Sequence, residues 1–230
     1  MKFFASLFFL LVSAAAHALP TEITAEYRLT NNGLTIGRVN ETFVRRGDTY
    51  TIQSVTRSDG VLKLIYDDQI TLESSGRIVT SGLQPLEFGQ RRARDSSRDI
   101  KAVFDWDKSV MHSIVDGKLT DVPLPSDTQD RISVMYQFMN LSKHGDKVVM
   151  PMSNGRKVEF YTYRFVAEVK LITPAGEFET LQYERVVSEP DENRASVWLA
   201  KDRFNLPVRV VFDDPKGLRL EQTLVALQTR

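Results

Sequence analysis

Beyond residue 20, apolar and polar positions alternate with a period of two along most of the chain. Val208, Val210 and Phe212 interleave with Arg209 and Asp213, for example, which is the pattern of a strand with one buried face. Runs of this kind predict strands over 23–30, 34–44, 49–57, 70–73, 77–81, 99–106 and 110–115. After one interruption they predict strands over 147–152, 157–165, 167–173, 178–187, 195–199, 207–212 and 218–227. Between the runs stand Asn32-Gly33, Asp116-Gly117, Asn154-Gly155 and other turn pairs. Asn-Gly and Asp-Gly suit the tight hairpin turn whose two central residues need positive φ. Hairpins in succession imply an antiparallel meander.

The interruption has a helical period. Ile132, Met135, Tyr136 and Met139 form one stripe, widened by Val134, Phe138 and Leu141. Ser126 and Gln129 offer a capping box, Pro123 and Pro125 stop the preceding strand, and Gly145 ends the segment, which predicts a helix over 127–143. A face this broad needs a covering surface, so the helix is expected to lie on the sheet. The fold class is mainly β: a large curved antiparallel sheet or half-open barrel, a meander, with one packed α-helix. The run 158–165 places Val158 and Phe160 on one face and Tyr161, Tyr163 and Phe165 on the other. A strand apolar on both faces needs cover on both. The second cover is the helix or a bound ligand.

Composition removes several kinds of chemistry. The 30 basic and 30 acidic side chains balance, so no global basic field favours nucleic acid. With no cysteine there are no disulfides, thiolate metal sites or cysteine nucleophiles. His112 and His144 read as a strand-surface residue and a helix-end cation, and neither has metal-ligand spacing. No Gly-x-Ser-x-Gly elbow or phosphate-binding glycine loop is present, and Asp105-Trp106-Asp107 reads as a turn rather than a calcium loop. The cluster Arg91-Arg92-Ala93-Arg94 reads as a solvated strand edge, with docking to anionic headgroups as the alternative. No catalytic residue, metal or cofactor is expected.

The first residues carry a different signal. Lys2 precedes an apolar run to Val12, and Ala16-His17-Ala18 is a small-x-small cleavage site. The run is about half the ~20 residues a spanning helix needs. A signal peptide over 1–18 and one β-rich periplasmic domain over 19–230 are therefore expected, with no transmembrane anchor and no acylated cysteine.

Three segments resemble a known family. Gln129-Asp130-Arg131-Ile132-Ser133-Val134-Met135-Tyr136 is similar to the helix motif of the exported proteobacterial family called domain of unknown function 3108. Pro85-Leu86-Glu87-Phe88, leading to Val103-Phe104-Asp105-Trp106, is similar to its middle region. Val197-Trp198-Leu199-Ala200-Lys201-Asp202 with Leu206-Pro207-Val208-Arg209-Val210 resembles its C-terminal signature. The resemblance implies no activity and no catalytic residues. More distantly it implies a curved sheet like that of periplasmic lipoprotein carriers and the related sensors that bind anti-sigma factors. The expected function is non-enzymatic binding of an apolar or lipidic ligand between sheet and helix, lined by Met135, Phe138, Met139, Tyr161, Tyr163 and Phe165. The alternative is a module that docks an envelope protein during envelope maintenance or stress signalling.

Overall fold

The computed structural model describes residues 20–59, 68–140, 145 and 147–230. The expected signal segment and His144 lie outside them. Eight strands come first: β1 (Glu22–Asn31), β2 (Leu34–Arg46), β3 (Thr49–Ser58), β4 (Gln69–Val79), β5 (Gly82–Arg92), β6 (Ile100–Asp105), β7 (Val110–Val115) and β8 (Lys118–Pro123). A short β9 (Gln129–Asp130) and helix α1 (Ser133–Gln137) follow, the latter extended by a 3-10 turn at Phe138–Asn140. The chain then forms β10 (Lys147–Ser153), β11 (Val158–Thr173), β12 (Gly176–Arg185), β13 (Arg194–Ala200), β14 (Leu206–Asp213) and β15 (Arg219–Thr229).

All fifteen strands join one sheet, in the order β8-β7-β6-β5-β4-β3-β2-β1-β15-β14-β13-β12-β11-β10-β9. The meander runs outward from β1 to one edge, crosses the molecule through β9 and α1, and returns to the centre, where β15 pairs with β1. Asn32-Gly33 and Asp116-Gly117 take positive φ at both positions, as their hairpins require. Every pairing is antiparallel except β9 with β10.

The sheet curls without closing, because its edge strands β8 and β9 do not pair. Side chains hold the curl instead. At the β10–β11 turn, Ser113 donates to the Gly155 carbonyl at 2.6 Å, and Ser153 lies 3.1 Å from the Met111 sulfur. Gly155 has φ +84°, and a Cβ there would come 2.6 Å from Ile100 and 3.1 Å from Phe88. Only glycine lets this turn tuck onto β5 and β6.

Two expectations change. The helix does not span 127–143, because Asp127 is left-handed (φ 58°) and Gln129–Asp130 pair as a strand with Met152 and Ser153. The cap also differs from Ser126 and Gln129: the Asp130 carboxylate accepts from the Ile132 and Ser133 amides at 3.0 and 2.9 Å, while Ser133 Oγ accepts from the Asp130 amide at 2.9 Å. Reciprocal bonds of this kind do the work of a capping box. The apolar stripe is real but wedged rather than laid flat. Ile132, Tyr136 and Met139 enter a core with Phe43, Tyr50, Phe88 and Phe104, while Val134 and Phe138 enter another with Tyr163, Leu181, Tyr183 and Leu199. Met135 touches both.

Candidate functional site

The site begins with how α1 is fixed. Asp130 is fully buried and its second oxygen accepts from Ser74 of β4 at 2.5 Å; Ser74 in turn meets Tyr50 at 3.2 Å. Gln129 donates to the Leu83 carbonyl at 2.7 Å, and Gln137 bridges the Leu83 amide and the Ser81 carbonyl. Burial raises the Asp130 pKa despite the bonds that favour its anion. The polar positions of the 129–136 motif are thus pins that hold the helix inside the curl.

One pin borders empty space. Tyr136 donates to Glu41 Oε2 at 3.3 Å, and Ser54 donates to its Oε1 at 3.1 Å. Glu41 projects from the inner face of β2 between Val39 and Phe43, and burial raises its pKa. The same burial, with Glu41 beside them, pushes the Tyr27 and Tyr136 hydroxyls well up. Around this carboxyl lies a cavity of about 210 Å3 between α1 and strands β1–β4, β14 and β15. Val39, Leu72, Ile132, Met135, Leu206 and Val210 give it apolar walls; Glu41, Tyr136, Gln222 and Arg131 bring polar groups. A few convergent polar groups in an apolar recess are the usual marks of a ligand site. This one is smaller than the ~300 Å3 at which drug-sized pockets begin.

The expected lining residues divide. Met135 faces the cavity. Met135, Phe138, Tyr161, Tyr163 and Phe165 meet in one core cluster, whereas Met139 belongs to the other. Phe138 packs edge-on to Tyr163 at 5.8 Å, and Phe165 packs edge-on to Tyr183 at 5.7 Å, so this side of the helix is filled by rings. Burial pushes the Tyr163 hydroxyl up to about 12. Tyr161 lies under the Arg185 guanidinium at 4.1 Å. Phe160, on the opposite face, is 65% exposed.

Sequence reading passed over Glu41, Arg131 and Gln222. Glu41 had a legible signal, an acid on the apolar face of an alternating strand. Gln222 had the same kind of signal, set against Leu224 on β15.

Elsewhere the chemistry is sparse. His112 Nδ1 sits 2.7 Å from Asp121 across β7 and β8, a pair without an adjoining hydroxyl nucleophile among the bonds of the described residues. No group of three His, Asp or Glu side chains converges on a metal position among the described residues. A larger cleft of about 940 Å3 lies open along the outside of β2–β7, where Arg91 pairs with Glu73 and Lys101 with Glu87, and Asp99 and Asp116 also line it. Among the described residues no helix is long and apolar enough to cross a membrane.

Among solved structures, a β-barrel-like protein of domain of unknown function DUF1849 from Brucella abortus superposes with a TM-score of 0.61 at 13% identity, covering 93% of this chain and 99% of that one. An exported-type protein with a YmcC-like fold from Bacteroides fragilis aligns at 12% identity over 91% and 96% of the two chains, with a TM-score of 0.35. A domain described as outer-membrane lipoprotein-sorting, from Vibrio parahaemolyticus, aligns at 11% identity over 91% and 85%, with a TM-score of 0.27. The first of these supports the β-barrel-like fold; the other two carry no weight. No curated protein matches the sequence. A family model matches residues 26–223, spanning all three resembling segments and every strand from β2 to β14, and the chain therefore belongs to the family described as Protein of unknown function (DUF3108).

Proposed function

We propose that this is a non-enzymatic binding protein, exported to the periplasm as one β-rich domain after loss of residues 1–18, that holds an apolar or lipidic ligand between sheet and helix. The observation that carries the reading is the cavity beside Met135, where apolar side chains such as Leu72, Met135 and Val210 meet polar groups at Glu41, Tyr136, Gln222 and Arg131. Binding is reversible burial, at about 25 cal/mol per Å2 of apolar surface removed from water. Met135 contacts the ligand, while Phe138, Tyr161, Tyr163 and Phe165 on one side of the helix and Met139 in the other core hold the helix in place. The test is native mass spectrometry of protein purified gently from periplasm, with organic extraction of the same sample. A reproducible lipid-sized adduct is expected, lost in a folded Met135→Trp variant that fills the cavity. A bare polypeptide mass, or an adduct unchanged in that variant, overturns the reading.

The second reading, docking of an envelope protein, draws on the outer face near the β10 edge. There Val149 is 54%, Phe160 65% and Val186 47% exposed, with Val149 and Val186 flanking Thr162. A stoichiometric envelope partner released by Phe160→Asp, with no extractable lipid, favours this reading over the first.

A further inference from the structure

The polar end of the cavity has a sign. Arg131 lines it and is open to solvent, yet protein surrounds the guanidinium closely enough to lower its pKa, and Arg92 lowers it further. Its one hydrogen bond among the described residues is to the neutral Gln90 side chain, Nη1 to Oε1 at 3.0 Å. Nearby Arg92 has a carboxylate only at 3.9 Å, from Asp68, and its buried Nε has no partner among the described residues. Arg92, outside the cavity lining, has the Asp68 pair and an Asp99 carboxylate accepting from its amide at 2.8 Å, whereas the Arg131 guanidinium at the cavity has no ion pair among the described residues. Glu41 lies in the same cavity, but its two oxygens are already taken by Tyr136 and Ser54. Bringing like charges together under partial burial is unfavourable unless an anion completes the site. Guanidinium is also the group best shaped for two-point contact with carboxylate or phosphate.

We infer that the cavity takes a single-chain anionic amphiphile, its carboxylate or phosphate head on Arg131 at the mouth and its alkyl chain along Leu72, Met135 and Val210. The inference rests on the binding reading above and adds the head-group charge and the chain number. At about 210 Å3, below the ~300 Å3 at which drug-sized pockets begin, the cavity is too small to hold two chains side by side.

Calorimetry on the delipidated full chain, with decanoate, decyl phosphate, monodecanoylglycerol and decyltrimethylammonium, tests it. Decanoate and decyl phosphate are expected to bind at least about tenfold more tightly than the neutral glyceride, the scale of one charge-assisted hydrogen bond, and the cation not at all. Arg131→Gln, with an unchanged unfolding midpoint, is expected to bring the anions down to the level of the glyceride, and Arg131→Lys to restore part of the difference. Glyceride binding as tight as decanoate, or decanoate affinity unchanged in Arg131→Gln, overturns the head-group inference and leaves the cavity reading standing. Absence of binding by all four probes overturns both. In native mass spectra of periplasmic protein, the adduct mass separates a free fatty acid from a lysophospholipid, and a two-chain lipid mass also counts against the inference.

Discussion

The two flanks of α1 are built on opposite plans. Toward β10–β13 the helix presents Val134 and Phe138 to a wall of Tyr163, Leu181, Tyr183 and Leu199, and ring-on-ring contacts leave no room. Toward β1–β4 and β15 it presents Met135 and Tyr136, and the sheet answers with Glu41, Ser54 and Gln222 around a void. The aromatic flank anchors and the mixed flank offers space. Dense aromatics attract attention in a sequence because they bury much area, but that same property makes them fill the space in which they meet. A ligand site instead leaves part of its apolar wall uncovered, with a few polar groups set into it.

The contrast can be broken most forcefully at Phe138, which is 1% exposed. Phe138→Ala is expected to destabilise the protein by about 3–5 kcal/mol in urea unfolding, through lost burial and the cavity left behind. A cost below about 1 kcal/mol would mean that the aromatic flank is not the anchor. Asp130→Ala comes next, at about 2–4 kcal/mol, because it strands the Ile132 and Ser133 amides and the Ser74 hydroxyl in the interior. Asp130→Asn, which keeps an acceptor, is expected to recover more than half of that loss.

The mixed flank is expected to reveal itself through pH. Burial raises the Glu41 pKa, so between the ordinary carboxylate range and that raised value the folded chain holds a proton the unfolded chain has lost. This contribution to stability is complete at low pH and disappears as pH rises through the folded pKa. Glu41→Gln cannot titrate, so its stability relative to the parent is expected to improve as pH rises above the ordinary carboxylate range, by up to about 1.4 kcal/mol for each unit of displacement, until the folded Glu41 has ionised. A difference that stays flat with pH would place Glu41 in a wetter setting. The smallest effect belongs to Phe160, whose side chain is exposed. Phe160→Ser is expected to change stability by no more than about 0.5 kcal/mol, against several for the same residue type at 138.

Much of the local structure was legible. The Asn32-Gly33 and Asp116-Gly117 turns fall between strands as expected, because φ > 0 is a local demand that few residues meet. β4 and β5 were less legible. Ser74-Ser75-Gly76 has the composition of a turn, yet β4 runs through it with an irregular register at Ser75/Gly76, and Ser74 is turned inward to serve Asp130. β5 carries Gly82, Pro85 and Gly89, which hide a strand from any propensity argument. The aromatic stripe indicated core but not which of its members would face a void. Arg131 sits inside the 129–136 motif, and nothing next to it in sequence marks it as lining a cavity.

Periodicity, turn residues and the apolar stripe depend on neighbours a few positions away, so they specify a β meander with one amphipathic interruption. Which distant surfaces meet is a different matter. The bonds from Asp130 to Ser74 and from Tyr136 to Glu41 span 56 and 95 residues, and a buried polar group is stable only where such a partner arrives. The pairing of β15 with β1, the parallel β9–β10 contact and the cavity beside Met135 emerge only in the tertiary structure, because each depends on how the two halves of the sheet curl around α1.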